Sequence, residues 1–183
     1  MIDKNIVFVT GNQNKLNEAS QILGYQIKNV DIDLPEIQAI EVLEVVKEKI
    51  KAAYNILKVP VLVEDTGVYF NATNNYPGAL IKWMLDSTGD KGIFKSLSGY
   101  SDKTATAHTI VGTYDGKKYK FYSGKIAGKI VQPKGNSGFG WDTVFEVSGF
   151  EKTIAELSKE EKNKISMRKI AFENYKNNNP LKF

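Results

Sequence analysis

The stretch IVFVTGNQNK, residues 6–15, decides the fold because it joins a buried strand to a helix through a glycine turn. Its first residues are apolar and mostly β-branched, a pattern typical of a strand that is covered on both faces. Apolar side chains then recur at helical spacing from Leu16 to Leu23, and Gly24 stands where a helix C-cap is expected. The chain therefore begins as strand, polar loop and helix.

The sequence beyond this start predicts an α/β fold with a mixed sheet. A second amphipathic stripe spans about 41–57 and ends before Pro60. Residues 61–63 predict a second buried strand, at whose carboxyl end Glu64 and Asp65 would lie. The other predicted elements are helical stretches at 80–85 and 93–97, a β-hairpin over 104–123 that turns at Asp115-Gly116, a strand over 141–147, and a last helix begun by a capping box of Ser158 and Glu161.

The composition indicates one globular domain over residues 1–183, with a tail at 177–183 that is expected to fray. Hydrophobic residues make up 42% and charged residues 25% of the chain, as in ordinary globular proteins. The sequence has no cysteine, no apolar run near the ~18 residues of a membrane span, and no secretory cleavage pattern. We therefore expect a cytoplasmic protein that does not enter membranes. The net charge of +4 is too small to indicate a stable nucleic-acid partner.

The loop after the first strand is the first candidate site. A strand that turns through Gly11 into a helix leaves backbone N–H groups and the positive end of the helix dipole at the turn. Thr10 and Asn12 add short polar side chains, and Lys15 adds a mobile cation. The loop is therefore either a phosphate cradle or an ordinary helix cap made by Asn12 or Asn14.

Carboxylates form the second candidate site. Glu64 and Asp65 follow a buried strand, where open α/β sheets bind ligands, and Glu36 ends the loop sequence DLPE at 33–36. Oxygen ligands of this kind suit Mg²⁺ in phosphoryl-transfer sites. Successive strand residues point to opposite faces, so Glu64 and Asp65 share one position only if the strand ends there. The alternative is a solvated turn at 65–67.

Two segments near the C-terminus are further candidates. The sequence SGFGWD at 137–142 places Phe139 and Trp141 beside glycines, so that backbone and ring faces can meet a flat ligand. The alternative is a bend before a core strand. The sequence KNKISMR at 162–168 ends in the only arginine, Arg168, and its alternative is an exposed basic helix face.

In this order along the chain, these segments resemble the inosine triphosphate pyrophosphatase family. Each motif alone is weak, whereas their ordered conjunction over about residues 5–173 is specific. The matching segments are VTGN at 9–12 with Lys15, DLPE at 33–36, VEDTG at 63–67, PG at 77–78 with IKW at 81–83, GFGWD at 138–142, and EKN at 161–163 with Ser166 and Arg168.

The resemblance implies hydrolysis of a nucleoside triphosphate to the monophosphate and pyrophosphate, with preference for the deaminated purines of ITP, dITP and XTP. It also implies an elongated two-lobed fold with a central mixed β-sheet flanked by helices, an active-site cleft between the lobes, a Mg²⁺ cofactor for which Mn²⁺ can substitute, and a homodimer.

The site residues are likewise implied by the resemblance. Catalytic roles fall on Asp65, Glu64 and Lys15, and metal binding on Glu36, Asp65 and Glu64. A lysine of the second helix is also expected to reach the phosphates, and the count back from Pro60 favours Lys49 over Lys47 and Lys51. The residues expected to bind substrate are Thr10, Gly11, Asn12, Lys15, Lys49, Thr66, Phe139, Gly140, Trp141, Asp142, Lys162, Ser166, Met167 and Arg168.

Base selectivity has an expected physical basis. An Arg168 donor aimed at the 6-oxo group of a deaminated purine would favour it over adenine, whose 6-amino group is itself a donor. Met167 stands where the family usually has a histidine, and a thioether gives no useful donor, so we expect weaker or broader selectivity rather than loss of hydrolysis. Leu80 stands where an aromatic residue is usual. The only histidine, His108, falls in the hairpin and is expected to be an ordinary strand residue.

The alternative function is a nucleotide-binding sensor with weak catalysis, or a pyrophosphatase with altered base specificity. Release of pyrophosphate that depends on Mg²⁺ and on Asp65 would separate the enzyme from the sensor.

Overall fold

The computed structural model describes residues 5–182, except the side chains of Lys159 and Asn163; residues 1–4 and 183 of the expected domain lie outside the described residues. The helices are α1 (Gln13–Leu23), α2 (Val42–Leu57), α3 (Ile81–Ser96), α4 (Lys159–Ile165) and α5 (Met167–Lys176). The strands are β1 (Val7–Val9), β2 (Lys28–Val30), β3 (Val61–Phe70), β4 (Pro77–Gly78), β5 (Thr104–Tyr114), β6 (Tyr119–Ile130) and β7 (Phe145–Val147). They form one seven-stranded sheet flanked by helices, which confirms the predicted mixed α/β fold.

The middle of β3 has no strand partner along one of its two edges. The strands follow the order β2-β1-β3-β5-β6-β7, with β1 parallel to both of its neighbours and the other pairs antiparallel. β5 covers one edge of β3 along its whole length. On the other edge, β1 pairs with Val61 and Leu62, and β4 pairs with Val68 and Tyr69. Residues 63–67 of β3 therefore face the space between the end of β1 and the start of β4.

Helices pack on both faces of the sheet and leave the gap beside β3 open. Leu62 packs with residues of α1 and α5, whereas Val63 packs with residues of α2. This difference follows from strand geometry, because neighbouring strand residues point to opposite faces. A third cluster lies where β3 ends, β5 begins and β6 ends. It includes Phe70, Ile81, Ile93, Ala105 and Phe145. Residues 5–182 contain no helix with the length and apolar character that a bilayer span requires.

Several local predictions are confirmed. The second helix occupies 42–57, and Gly24 caps α1 in the left-handed conformation with φ 80°. The hairpin of β5 and β6 turns at Asp115-Gly116, where Gly116 has φ 89° as a positive-φ turn requires. Ser158 and Glu161 form the predicted capping box at the start of α4.

Three local predictions are wrong. β3 does not end at the two carboxylates but continues to Phe70, because β5 supplies pairing partners along all ten residues. The strand predicted over 141–147 begins only at Phe145, and a turn precedes it. The single helix predicted at the C-terminus is two helices, because Ser166 is extended at φ −66° and ψ 148° and begins α5 as its N-cap.

Candidate active site

A cavity of about 360 Å³ opens on the gap in the sheet. It is lined by β3 from Val63 to Thr66, by the loop that follows β1, by residues 31–39 between β2 and α2, by α2, and by the start of α3. The gap exists because β1 has only three residues and turns away before it can pair with the middle of β3. The polar and charged residues that line the cavity are Thr10, Asn12, Lys15, Asp31, Asp33, Glu36, Lys49, Glu64, Asp65, Thr66 and Lys82.

The loop between β1 and α1 caps the helix and lines the cavity at the same time. Asn12 Oδ1 accepts hydrogen bonds from the N–H groups of Asn14 (3.0 Å) and Lys15 (3.1 Å), so the helix-cap alternative is confirmed for Asn12. A side chain at Gly11 would meet the carboxylate of the exposed Asp31, which would have to move. Thr10, Gly11 and Asn12 still border the cavity, so capping and contact with a ligand are compatible.

The ammonium of Lys15 contacts the carboxylates of Glu64 and Asp65, which belong to residues on opposite faces of β3. Its Nζ is 3.2 Å from Glu64 Oε2 and 3.7 Å from Asp65 Oδ1, and it donates to the main-chain oxygen of Glu64 at 3.4 Å. Strand geometry alone would keep the two carboxylates apart. One lysine reaches both because it extends from the first turn of α1 across the open edge of the strand.

Lys49 is the lysine of α2 that reaches the cavity. Its Nζ donates to Glu36 Oε1 at 2.5 Å and to Asp65 Oδ2 at 2.7 Å. Lys51 instead pairs with Glu48 on an exposed part of the helix, at 2.6 Å. Burial lowers the pKa of Lys49, but Asp65 and Glu36 raise it more, so the pKa lies above its ordinary 10.5 and the ammonium is charged at neutral pH.

Glu36 and Asp65 fit a Mg²⁺ ion by the chemistry of their donors. One oxygen of each contacts the same ammonium, so the two carboxylates converge on a single cation position. Mg²⁺ commonly takes one or two protein carboxylates and completes its shell with water and phosphate oxygens. Within residues 5–182, no group of three or more acidic or histidine side chains is arranged to hold a metal alone. The Glu64 side chain is 0% exposed and its oxygens face Arg168 and Lys15, so Glu36 and Asp65 are the more accessible pair.

Arg168 is buried behind the cavity in an ion-pair network. Its Nη1 donates to Glu18 Oε2 at 2.6 Å and its Nη2 donates to Glu64 Oε1 at 3.2 Å. The side chain is 3% exposed and does not border this cavity, and its two terminal nitrogens are engaged, so they are not the free donor that the sequence led us to expect. Its Nε has no hydrogen-bond partner within residues 5–182, and its guanidinium carbon lies 5.6 Å from the centre of the Phe139 ring. Arg168 instead ties α5 to α1 and β3, and it compensates the buried charge of Glu64.

We expect the folded protein to lose stability as the pH falls from about 4.5 to about 2. Burial raises the pKa of Glu64, but Arg168 and Lys15 lower it further, from 4.5 to about 2. A carboxylate whose folded-state pKa is depressed stabilises the fold above its unfolded pKa, and this contribution disappears as the pH falls through the folded value. Urea unfolding of the native protein and of Glu64→Gln across this pH window should show that the free energy of unfolding depends less steeply on pH in the variant.

The control is Glu173→Gln, which changes an exposed carboxylate on α5 and should retain the native slope. Equal slopes for Glu64→Gln and the native protein would contradict the assignment.

A second cavity, of about 420 Å³, is lined in part by the N-terminal half of α1. Phe139 and Lys162 line it, together with Asn14, Asn17 and Glu18 of α1. Lys162 Nζ lies 4.6 Å from the centre of the Phe139 ring, a cation–π contact. The same ammonium is 2.8 Å from Asp142 Oδ2 and 3.0 Å from Glu18 Oε1. Burial raises the pKa of Asp142, and Lys162 opposes that shift.

The remaining predicted residues occupy supporting positions in the structure. Trp141 packs against Phe145 with ring centres 5.5 Å apart and borders neither cavity described above. Met167 is 2% exposed and belongs to the third core cluster. Ser166 caps α5 by accepting from the Lys169 N–H at 3.1 Å. The carboxylate of Asp142 accepts from the Phe139 N–H at 3.0 Å and so holds the glycine-rich loop that includes Gly140, whose φ is 67°.

His108 is an ordinary strand residue, as expected. It lies half-buried in β5, and its Nε2 is 2.8 Å from Ser123 Oγ. Burial, with a smaller effect of Lys125, lowers its pKa to about 4, so the ring is neutral at neutral pH.

Sequence reasoning missed Glu18, which borders the second cavity and pairs with two of the predicted residues. Its carboxylate contacts Arg168 and Lys162, and it borders the cavity that Phe139 lines. A signal was available, because Glu18 lies three residues after Lys15 and such residues share one helix face. Lys82 and the 53%-exposed Trp83 also border the first cavity, although the sequence assigned them no role.

The chain is similar in sequence and in fold to known proteins. A model of the Ham1 family matches residues 6–178. A protein of Schizosaccharomyces pombe named inosine triphosphate pyrophosphatase is 44% identical over 92% of this chain and 91% of its own, and one of the same name from Yarrowia lipolytica is 44% identical over 93% of both chains. The solved structure of a Ham1 protein from Coxiella burnetii superposes with a TM-score of 0.83 at 27% identity, covering 97% of this chain and 98% of the other.

Proposed function

Since the chain belongs to the Ham1 family, we propose that it hydrolyses deaminated purine nucleoside triphosphates such as ITP, dITP and XTP to the monophosphate and pyrophosphate. The observation that carries this function is the convergence of Lys15, Lys49, Glu36 and Asp65 on one cavity beside a helix-capping loop. Hydrolysis of this kind removes deaminated purines from the nucleotide pool.

The first cavity is proposed to hold the triphosphate. Lys15 and Lys49 supply ammonium groups, and Thr10 and Asn12 supply short polar side chains at the start of α1, where the helix dipole also favours an anion. Glu36 and Asp65 would hold Mg²⁺, or Mn²⁺ in its place, which when bound neutralises phosphate charge and polarises the reacting phosphoryl group. These groups together offset the negative charge of the triphosphate, which would otherwise oppose the approach of the attacking water oxygen.

The reaction proposed for this cavity is attack by water on the α-phosphorus. A bond forms between the water oxygen and phosphorus, and the bond from phosphorus to the α–β bridging oxygen breaks, so pyrophosphate leaves. Asp65 is proposed to orient this water and accept its proton, because its side chain is 18% exposed at the cavity. Glu64, which is fully buried, positions Lys15.

The second cavity is proposed to hold the base. Phe139 offers an aromatic face for the purine, and Lys162 offers a donor for a 6-oxo group. Adenine presents an amino donor at the same position and would leave two donors facing each other. Asp142 and Glu18 hold the ammonium of Lys162 in place, and Arg168 acts through Glu18.

We also propose that the protein works in the cytoplasm as a homodimer, as the family resemblance implies. Sedimentation equilibrium would test the dimer, with a mass of twice 20.4 kDa expected. Immunofluorescence of cells that express the full chain would test the location.

Pyrophosphate release from ITP, XTP, GTP and ATP, measured with and without Mg²⁺, tests the proposed function. We expect release from ITP and XTP to exceed release from ATP by at least about tenfold in kcat/KM, because the amino group of adenine would face the Lys162 donor. Chelation of the divalent cation should abolish release. Tight binding of ITP without pyrophosphate release would instead support a nucleotide sensor.

A further inference from the structure

Lys49 lies at the position that the divalent cation needs. Its Nζ is 2.5 Å from Glu36 Oε1 and 2.7 Å from Asp65 Oδ2, the two carboxylates that fit the metal. A Mg²⁺ ion bonds its oxygen ligands at about 2.0–2.1 Å, so an ion on these same oxygens would be next to the ammonium. Two adjacent cations repel each other strongly where their surroundings exclude much of the water. The Lys49 side chain is only 12% exposed.

A triphosphate in the same cavity offers Lys49 another partner. Lys49 borders the cavity together with Lys15 and the Thr10–Asn12 loop, which the proposed function assigns to the phosphates. A lysine carries its charge on a flexible four-carbon stem, so the ammonium can leave two carboxylates for phosphate oxygens without movement of α2. The carboxylates released in this way are then available to a cation that arrives with the phosphates.

We propose that in the nucleotide-free protein Lys49 occupies the position of the divalent cation between Glu36 and Asp65, so that the metal enters together with the triphosphate rather than before it. This inference rests on the proposed function, because it assumes that Glu36 and Asp65 are the metal ligands. Lys49 thereby has two roles: it excludes free metal before substrate binds, and it contacts the phosphates afterwards. Free divalent cation then neither occupies the site alone nor blocks entry of the metal–nucleotide complex.

Titration of the protein with Mn²⁺ in the absence of nucleotide, followed by the electron paramagnetic resonance signal of the free ion, tests this order. Lys49→Gln removes the resident ammonium and is expected to bind Mn²⁺ at least about tenfold more tightly than the native protein, a difference of about 1.4 kcal/mol. Lys51→Gln is the matched control, because Lys51 lies on the same helix and pairs with Glu48 away from the cavity; it should bind Mn²⁺ as the native protein does. Adding Glu36→Gln to Lys49→Gln should abolish the gain.

A second measurement does not depend on the fold of any variant. After the Mn²⁺ bound by the same concentration of analogue alone has been subtracted, the native protein should bind Mn²⁺ at least about tenfold more tightly when an ITP analogue with a methylene bridge between the α- and β-phosphates is present. Equal Mn²⁺ affinities of native protein and a folded Lys49→Gln, or equal native affinities with and without the analogue, would overturn the inference. Because these titrations need no turnover, they are separate from the pyrophosphate assay, whose failure would refute the proposed function itself.

Discussion

Asp65→Asn is expected to lower kcat for pyrophosphate release from ITP by at least about 10³-fold. Metal stabilisation of a phosphoryl-transfer transition state is worth several kcal/mol, and each 1.36 kcal/mol is tenfold in rate. Asp65 contacts Lys49 at 2.7 Å and lies 3.7 Å from Lys15, so the change removes one proposed metal ligand and one counter-charge of both lysines. The measurement is steady-state pyrophosphate release at saturating ITP and Mg²⁺.

The control for Asp65→Asn is Asp86→Asn, which makes the same chemical change at an exposed position of α3. Its rate should equal that of the native protein. Glu36→Gln provides a second comparison, because it leaves Asp65 in place and should raise the Mg²⁺ concentration needed for half-maximal rate. A rate for Asp65→Asn within about tenfold of the native value would show that Asp65 neither binds the metal nor activates water.

Arg168→Met is expected to lower the free energy of unfolding by about 3–5 kcal/mol. Removing one partner of a buried ion pair leaves an uncompensated charge, and that loss exceeds the loss of the contact itself. Here Glu64 is fully buried and Glu18 is 13% exposed, and without the guanidinium each keeps a single cation, Lys15 for Glu64 and Lys162 for Glu18. Methionine has a similar length and keeps much of the packing. Urea unfolding followed by tryptophan fluorescence measures the change.

Lys169→Met is the matched control, since the next residue along α5 makes a partly exposed pair with Glu173 at 3.1 Å. Pairs of this kind contribute about 0.3–0.5 kcal/mol, so its stability should be close to native. The double variant Arg168→Met with Glu64→Gln should recover part of the loss, because the buried carboxylate is no longer charged. If Arg168→Met and Lys169→Met were equally stable, the buried network would not be what attaches α5 to β3.

The pattern of apolar residues was sufficient to predict most of the secondary structure. The helices at 13–23 and 42–57 and the β5–β6 hairpin follow from spacing and from local signals such as Gly24 and Asp115-Gly116, which act within a few residues. The errors arose where a distant partner overrides the local signal. β3 continues past Asp65 because β5, some forty residues later in the chain, pairs with it throughout.

The candidate site was only partly predictable for the same reason. Motif order identified Lys15, Asp65 and Lys162, and these residues do border or support the two cavities. Motif order cannot show which of the predicted residues are buried in the fold and which border a cavity. Arg168 lies behind the cavity with both terminal nitrogens bonded, and Met167 lies in the core.

The sequence by itself determined most of the elements, the family and the types of charge available for chemistry, because periodicity and motif order are properties of the linear chain. Only the tertiary structure decided which charges meet. Lys15 contacts Glu64 and Asp65 together because β1 stops after three residues and opens the edge of β3, and Lys49 lies between Glu36 and Asp65 because α2 packs on that face of the sheet. Such contacts depend on strand register and helix packing between segments far apart in the chain, and no local pattern of residues encodes those distances.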